Sequence, residues 1–275
     1  MMQLSLFPEA PDKRAPISVT WNLWHGCTRV STGCRHCYMY RRDEAVGRDP
    51  SVVEKTKSFN LPISKFRSGE YKSRYKVPAG SMIYTCFSSD FFHTEADKWR
   101  DEAWEIIRER NDCRFLIITK RPERIEKALP FDWNDGWEHV TIAVTVENQE
   151  MADKRLPVYL AVPMKHYSVM IEPMLSAVDL RQYLTTGKIE DVNVGGESGP
   201  EARLCDYNWV LDVHDQCVKH GIGFYYHKTG ARLLKDGKDY KIRREHQHTQ
   251  AQKAGLDLKA KSICILIEEK YADTP

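Results

Sequence analysis

Short runs of β-branched and aromatic residues recur along the chain and alternate with longer amphipathic stretches. The runs predict seven β-strands, at residues 19–23, 82–87, 115–119, 140–146, 167–171, 192–194 and 224–226. Helical periodicity occurs between them, at residues 95–110, 122–128, 148–155 and 208–220. The repeated order of strand then helix predicts an α/β fold with a parallel sheet, which suits a partial or complete (β/α) barrel. A doubly wound open sheet is the alternative.

Polar or glycine-rich residues directly follow most of the predicted strands. They are Ser88, Ser89 and Asp90; Thr119, Lys120 and Arg121; Glu147 and Asn148; Glu172 and Pro173; Gly195, Gly196, Glu197 and Ser198; and His227 and Lys228. Functional groups of a (β/α) barrel gather at the carboxyl ends of its strands, so these residues are expected to line one mouth. Ordinary loop polarity explains any single cluster equally well, but its recurrence at equivalent positions favours a shared site.

The ends of the chain differ in pattern from its middle. Residues 1–18 contain three prolines and little periodicity, which predicts an extended tail. Residues 19–245 hold the strand and helix repeats, and residues 246–275 form a C-terminal extension. No apolar run is long enough to cross a bilayer, and no signal peptide is evident at the N-terminus. The chain is therefore predicted to be cytoplasmic, with no membrane partner.

Charge adds little to this picture, because 41 Lys and Arg nearly balance 39 Asp and Glu, for a net charge of +2. Cysteine usage adds more. Of eight cysteines, Cys27, Cys34 and Cys37 fall within eleven residues, unlike the spread pattern of a secreted disulfide scaffold. In a reducing compartment, clustered thiols favour a metal centre. Zinc, with His25 or His36 as its fourth ligand, is one alternative.

The other cysteines fall into two groups. Cys86, Cys113, Cys217 and Cys264 are expected in the core. Cys205 lies in a predicted loop and remains a candidate catalytic thiol, with Lys228 as a candidate catalytic amine.

Three cysteines on the loop after the first strand, ahead of repeated strand and helix units, resemble the radical S-adenosylmethionine superfamily. The resemblance implies that Cys27, Cys34 and Cys37 hold three irons of a [4Fe–4S] cluster. It also implies that the fourth iron binds S-adenosylmethionine, which an external electron donor helps cleave to a 5′-deoxyadenosyl radical. The spacing here is C-x6-C-x2-C instead of the usual C-x3-C-x2-C, and His36 stands where an aromatic residue is common.

The whole pattern more closely resembles the phage-associated Gp37/Gp68 family, also called DUF5131, which shares the longer cysteine spacing. The resemblance covers roughly residues 20–255. The matching segments are residues 21–22, 26–28, 33–34, 37–38, 89–93, 119–122, 146–148, 171–173, 195–200, 215–217 and 228–230.

The superfamily resemblance also implies roles for the residues at the strand ends. Ser88, Ser89 and Asp90 are expected near the methionine moiety of the cofactor. Lys120 and Arg121 are expected to pair with its carboxylate or with a substrate phosphate. Glu147 and Glu172 are expected to bind ribose hydroxyls or substrate. The segment Gly195-Gly196-Glu197 resembles the superfamily motif for the cofactor amino group, although it follows a late strand; a tight turn is the alternative.

The N-terminal tail carries a second resemblance. Gln3, Leu4, Ser5, Leu6 and Phe7 resemble the pentapeptide with which bacterial replication and repair proteins bind the sliding clamp. The alternative is that the apolar residues of the tail fold back onto the domain. If the motif is real, the protein works at DNA.

Two basic stretches, residues 65–76 and 228–244, agree with a DNA partner, since lysines and arginines would contact phosphates. Tyr71 and Tyr75 would stack on bases. The leading hypothesis is a radical S-adenosylmethionine enzyme that acts on DNA, in base repair or modification. The alternatives are a zinc-stabilised DNA-binding accessory protein and a radical enzyme that acts on a protein or small molecule.

Overall fold

The structure is a computed structural model that describes residues 14–259. Its strands are β1 (Ser18–Trp21), β2 (Trp24–His25), β3 (Glu54–Lys55), β4 (Met82–Thr85), β5 (Arg114–Thr119), β6 (Val140–Thr145), β7 (Tyr167–Ile171), β8 (Ile189–Gly195), β9 (Cys205–Asp206), β10 (Gly223–Lys228), β11 (Arg232–Lys235) and β12 (Lys238–Lys241). Its α-helices are α1 (Tyr38–Ala45), α2 (Asp97–Glu109), α3 (Gln149–Ala161), α4 (Arg181–Leu184), α5 (Tyr207–His220) and α6 (Arg244–Gln252).

The main sheet has seven strands in the order β1-β4-β5-β6-β7-β8-β10, and every neighbouring pair is parallel. All seven strands predicted from the sequence are present in it. The long strands follow one another in chain order without a reversal, which is the arrangement of a (β/α) barrel and not of a doubly wound sheet. Because β1 and β10 lie at opposite edges within the described residues, the barrel is open.

The two faces of this sheet bury different amounts of apolar surface. The outward residues of the strands, such as Ile83, Ile117 and Val144, belong to one large core shared with α2, α3 and α5. On the inner face, Tyr84, Leu116, Ala143 and Met170 form a smaller separate cluster. Strands buried on both faces appear in sequence as continuous apolar runs, which is why they were predictable.

The helices follow the predicted pattern with one exception. The stretch at residues 148–155 continues as α3 to Ala161, and Asn148 caps it by accepting a hydrogen bond from the Met151 N–H (2.9 Å). The prediction of a helix at residues 122–128 is wrong, because two short 3₁₀ turns, Pro122–Arg124 and Glu126–Ala128, occupy it. The extended Leu129 (ψ 151°) precedes Pro130, and a proline excludes its predecessor from helical geometry.

The C-terminal part of the described chain packs on β10. Helix α6 begins before the expected boundary at residue 245. Further on, Phe224 and Leu258 exchange two backbone hydrogen bonds (3.0 and 2.8 Å), so residues up to 258 cover the outer edge of β10. In the described range, no helix combines the length and apolar character needed to cross a membrane.

Two smaller sheets flank the barrel. Strands β2 and β3 pair antiparallel, and β11 pairs with both β9 and β12. The first of these pairs lies beside the loop that carries the clustered cysteines.

Candidate functional site

A cavity of about 250 Å³ opens at the carboxyl ends of the sheet strands. Its wall is formed by residues at the carboxyl ends of β1, β4, β5, β6, β7 and β10 or just beyond them. They are Cys27, Thr28, Val30, Cys34, Cys37, Tyr38, Met39, Tyr40, Cys86, Phe87, Ser89, Asp90, Ile118, Thr119, Lys120, Arg121, Thr145, Met170, Glu172 and His227. The three clustered cysteines and many of the predicted strand-end residues therefore meet in one place.

The cysteine loop, residues 26–37, begins at a glycine that the structure requires. Gly26 has φ +94°, and a Cβ there would lie 2.0 Å from the carbonyl oxygen of Val52. The next residue, Cys27, donates its N–H to the Pro50 carbonyl (2.8 Å), and its own carbonyl accepts a hydrogen bond from the Tyr40 hydroxyl. The backbone of the first cysteine is thereby fixed before any ligand binds.

Thr28 connects the cysteine loop to two strand-end side chains. Arg121 donates through Nη2 to the Thr28 carbonyl (2.9 Å) and hydroxyl (2.8 Å). The buried His93 accepts the Glu95 N–H at Nδ1, so its Nε2 carries the proton and donates to the Thr28 hydroxyl (3.0 Å). Burial, and then the Arg121 charge, lower the pKa of His93, which agrees with a neutral ring.

Gly33 connects the same loop to β6. Its N–H donates to Oε1 of Glu147 (3.3 Å), and a Cβ at this position would lie 2.8 Å from the carboxylate carbon of Glu147. The other oxygen of Glu147 accepts from Arg155 of α3 (2.7 Å), and this ion pair is buried. Burial acts to raise the pKa of Glu147, but Arg155, together with Ser31 and the charge of Lys120, holds the pKa below its usual value. Glu147 therefore positions the loop and is absent from the cavity wall.

Asp90 ties β4 to β5 beside Cys27. Its carboxylate accepts hydrogen bonds from the Thr119 hydroxyl (2.8 Å) and from the Lys120 N–H (3.0 Å). Ser89 donates its hydroxyl to the Gly26 carbonyl, while Ser88 lies outside the cavity wall and donates to the Trp24 carbonyl (3.0 Å). The serines and the aspartate thus hold the backbone around the cysteine loop.

Lys120 is different from these neighbours. Its side chain lines the cavity and makes no hydrogen bond or ion pair with another residue in the described range 14–259. Of the two basic residues expected to bind a carboxylate or phosphate, Arg121 is occupied by Thr28 and lies 3.8 Å from Asp90, whereas Lys120 remains available.

The opposite wall carries a second group, which we call the Glu172 cluster: Glu172, His227 and Lys228. His227 donates from Nδ1 to Oε2 of Glu172 (2.7 Å), and Lys228 pairs with Oε1. Burial acts to raise the pKa of Glu172, but Lys228 and then His227 outweigh it and hold the pKa well below its usual range. The carboxylate is therefore ionised at neutral pH, with both oxygens paired.

Gly195 makes this cluster possible. Glu172 follows β7 and His227 lies on β10, and β8 runs between those two strands. A Cβ on Gly195, the last residue of β8, would lie 2.6 Å from Oε2 of Glu172. The missing side chain lets the carboxylate reach across β8 to His227.

The rest of the predicted Gly-Gly-Glu segment has structural contacts and does not line the cavity. Gly196 faces the carbonyl oxygen of Thr229, to which an added Cβ would come within 2.3 Å. Glu197 is buried and accepts two hydrogen bonds from the Arg203 guanidinium and one from its N–H. The structure thus places this motif in an extended segment that packs against the residues at the end of β10.

Cys205 is also outside the cavity. It lies in β9, fully buried in the main core, and burial raises the pKa of its thiol to about 12. The structure does not bring it to Lys228 or to the clustered cysteines. The tail residues, Gln3 to Phe7, and Cys264 lie outside the described residues.

The three clustered thiols are the donors available for a metal centre. Cys27, Cys34 and Cys37 are free and partly exposed on one cavity wall. Burial and then Asp90 raise the pKa of Cys27 to about 11, so a bound metal would have to displace its proton. Within residues 14–259, no group of three or more His, Cys, Asp or Glu side chains has the spacing to hold a single ion.

Zinc and an iron–sulfur cluster, the two metal centres considered, place different demands on their ligands. Tetrahedral zinc, with bonds of about 2.3 Å, needs its sulfur ligands within about 4 Å of one another. A cluster takes one thiolate on each of three irons and needs wider separation. Each of the proposed fourth zinc ligands has one ring nitrogen paired, Nε2 of His25 with Asp43 (2.7 Å) and Nδ1 of His36 with Glu201 (3.1 Å), which leaves the other nitrogen of each ring as the potential ligand. Three partly exposed thiols on one cavity wall are soft donors of the kind that bind zinc or an iron–sulfur cluster.

The fold and the site together define an open (β/α) barrel with a three-cysteine centre at the carboxyl ends of its strands. The chain belongs to the DUF5131 family, described as a protein of unknown function, whose model matches residues 16–262. No curated protein matches the chain. One solved structure, "Spore photoproduct lyase complexed with dinucleoside spore photoproduct", is similar at 14% identity over 86% of this chain and 70% of that chain, with a TM-score of 0.42.

Sequence reasoning placed His227 with Lys228 among the strand-end residues but assigned it no role, and it missed Arg155. Arg155 lies in the middle of an amphipathic stretch, where an arginine is ordinarily solvated, and no local signal marks it as the partner of a buried glutamate.

Proposed function

We propose that this protein is a radical S-adenosylmethionine enzyme whose Cys27, Cys34 and Cys37 hold a [4Fe–4S] cluster. The carrying observation is that these three thiols share one cavity with the polar ends of five further strands of an open parallel barrel. When bound and reduced, such a cluster supplies the electron that cleaves S-adenosylmethionine to a 5′-deoxyadenosyl radical. The residues of the chain have to bind, orient and enclose the reactants.

Each wall of the cavity has a part in this proposal. Ser89, Asp90 and Arg121 keep the cysteine loop in place through the contacts described above, so they act as positioning residues. Lys120, whose ammonium has no partner in the described range, binds the carboxylate of S-adenosylmethionine. The Glu172 cluster faces the substrate, with His227 on the cavity wall and Lys228 holding the carboxylate that orients it.

We further propose that the substrate is DNA and that the reaction is repair or modification of a base. The support comes from the sequence: the tail from Gln3 to Phe7 resembles a clamp-binding peptide, which would recruit the enzyme to replicating or repaired DNA.

Anaerobic reconstitution with iron and sulfide tests the cluster. The expected result is a brown protein that releases 5′-deoxyadenosine when reduced with S-adenosylmethionine present. Cys27→Ser, Cys34→Ser and Cys37→Ser should each lose bound iron, while Cys86→Ser, a buried cysteine of the same cavity, should keep it. A colourless protein that binds zinc tightly would sink the proposal and favour the accessory-protein alternative.

Recruitment needs a separate test. The full chain should bind purified bacterial sliding clamp, and replacing Leu6 and Phe7 with alanine should abolish that binding. Unchanged binding would remove the support for DNA as the substrate. A radical enzyme acting on a protein or small molecule would then be the better description.

A further inference from the structure

A basic groove lies at the end of the barrel away from the cavity. The segment from Ser64 to Lys76, which we call the basic hairpin, folds back on itself through bridges between Lys65 and Tyr75 and between Phe66 and Lys72. The groove that it forms is lined by Ser64, Lys65, Phe66, Arg67, Ser68, Lys72, Ser73 and Lys76. No acidic residue belongs to this lining.

The charges in the groove are uncompensated. Lys65, Arg67, Lys72 and Lys76 are exposed, and none of them forms an ion pair with a residue in the range 14–259 that the structure describes. Some basic residues elsewhere on the surface are paired, as in Arg108 with Asp132 and Arg181 with Asp212, and Lys127, Lys154 and Lys219, unpaired within the described range, lie on separate elements of the chain and not around one groove. Four cations without acidic partners around one concave surface favour a polyanionic ligand.

The hairpin is anchored to the body of the protein. The Arg14 guanidinium donates to the Tyr75 carbonyl (2.6 Å) and lies 5.1 Å from the centre of the Tyr71 ring. The Tyr75 ring lies 4.3 Å from the guanidinium carbon of the fully buried Arg110, and its hydroxyl donates to Glu109 (2.5 Å). The groove is therefore a fixed shape and not a solvated loop.

These contacts change the expected mode of binding. Tyr71 and Tyr75 were expected from sequence to stack on bases, but both rings are already engaged by cations of the protein. Phe66, the aromatic residue of the groove lining, is also engaged, because the Arg14 guanidinium carbon lies 5.5 Å from the centre of its ring. The groove therefore offers mainly its charges and the hydroxyls of Ser68 and Ser73. Such a surface contacts phosphates without reading sequence, and a duplex presents them at twice the density of one strand.

The groove and the cavity lie at opposite ends of the barrel. The hairpin precedes β4 and contacts the C-terminal end of α2, so it lies at the amino ends of the sheet strands, whereas the cavity lies at their carboxyl ends. Arg14, the first described residue, is held against this hairpin, seven residues after Phe7. The candidate clamp-binding peptide and the basic groove are thus close along the chain.

We propose that the basic hairpin is a binding site for the phosphate backbone of double-stranded DNA, distinct from the catalytic cavity. It acts as a sequence-independent anchor in a chain whose residues Gln3 to Phe7 are the proposed clamp-binding peptide. The inference deepens the proposed function and rests on it in one respect, namely that DNA is the partner. The contacts and charges of the basic hairpin are independent of the cysteine centre.

The test is fluorescence anisotropy of the full chain with a labelled 25-base-pair duplex, without clamp, across a series of KCl concentrations. The triple variant Lys65→Gln, Lys72→Gln and Lys76→Gln should weaken binding at least tenfold. It should also reduce the slope of log K against log [salt] by about 0.9 for each phosphate that the groove no longer neutralises. The matched control is Lys127→Gln, Lys154→Gln and Lys219→Gln, which removes the same charge from three other exposed lysines and should retain binding.

Four outcomes would overturn the inference. They are an equal loss of affinity in both triple variants, tighter binding of the corresponding single strand, absence of duplex binding, and binding of the groove to anionic phospholipid vesicles but not to DNA. Circular dichroism of both variants confirms the fold. Iron content, measured on the same samples, separates this inference from the cluster proposal: a groove-dependent DNA affinity in a protein that binds no iron would keep the first and reject the second.

Discussion

The two walls of the cavity use similar residues for different purposes. On the wall beside the cysteines, Ser89 and Arg121 are engaged with the backbone of the cysteine loop, at Gly26 and Thr28, and Glu147 holds Gly33 of the same loop from behind that wall. On the opposite wall, Glu172, His227 and Lys228 are engaged with one another. The side chains of the first wall hold the cysteine loop in place, and the second wall presents the Glu172 cluster to a bound ligand.

The difference shows that a polar residue at a strand end marks a site without defining its own role. Glu147 and Glu172 both follow strands at equivalent positions and both have a lowered pKa. Glu147 is fully buried against Arg155, whereas the Glu172 side chain retains 21% of its exposure and lines the cavity. Neighbours from distant parts of the chain decide which carboxylate positions and which one binds.

The largest loss of stability is expected from breaking the buried ion pair between Arg155 and Glu147. Arg155→Met leaves the ionised Glu147 buried without a partner, and such a change costs about 3–5 kcal/mol of unfolding free energy. Urea denaturation monitored by circular dichroism measures it. The matched control, Arg181→Met, breaks an exposed pair with Asp212 and should change stability little. Equal stability losses in the two variants would contradict the assigned role of Glu147.

A smaller loss of stability is expected from a substitution at Gly195 of β8, where the Glu172 carboxylate reaches across to His227. Gly195→Ala places a methyl group against Glu172 and should cost about 1–3 kcal/mol through overpacking. The same substitution made in a Glu172→Ala background should cost less, because the obstructed carboxylate is gone. This double-mutant cycle isolates the contact. Bound iron should remain at the wild-type level in every variant, since the cysteine loop is untouched.

The pH dependence of stability sharpens the comparison further. Because Glu172 has a lowered pKa in the folded state, the unfolded chain binds more protons at acidic pH. Its contribution is therefore present above the ordinary glutamate pKa of about 4.3 and is lost as pH falls below it. The stability difference between wild type and Glu172→Gln should be largest near pH 7 and shrink towards pH 3. A difference that grows on acidification would refute the assignment.

The smallest change in stability is expected at Lys120, whose side chain makes no hydrogen bond or ion pair with another residue in the described range. Lys120→Met should leave the melting temperature unchanged but weaken S-adenosylmethionine binding to the reconstituted protein. Losing a charge-assisted hydrogen bond costs about 1.5–3 kcal/mol, which is about tenfold or more in Kd. Anaerobic calorimetry measures this, with Lys154→Met as the control lysine outside the cavity. Equal affinity in both variants would remove Lys120 from the site.

Sequence periodicity sufficed for the main sheet because its strands are buried on both faces and so carry continuous apolar runs. It failed for β12, whose residues Lys238–Lys241 are all exposed and whose pairing depends on β11. It also failed at residues 122–128, where Pro130 limits the chain beyond Leu129. The local sequence pattern predicts elements whose residues are buried, and it misses elements that form only because they pair with a neighbouring strand.

The candidate site was likewise predictable only in part from the sequence. The sequence predicted that Cys27, Asp90, Lys120 and Glu172 would meet, because parallel strands end on one side of a barrel. It could not predict that Gly33 lies against Glu147, 114 residues away, or that Gly195 opens a path between β7 and β10. Those contacts depend on how loops return over the strand ends.

The outer edge of β10 has a consequence for the integrity of the barrel in solution. An uncovered edge strand offers unpaired N–H and carbonyl groups to a second chain, and natural proteins protect such edges. Here Leu258 exchanges two hydrogen bonds with Phe224, and Asp257 accepts the Tyr226 N–H (2.9 Å). The short segment after α6 therefore works as a guard against self-association. A chain ending before Asp257 should form oligomers through β10 while its cavity stays intact.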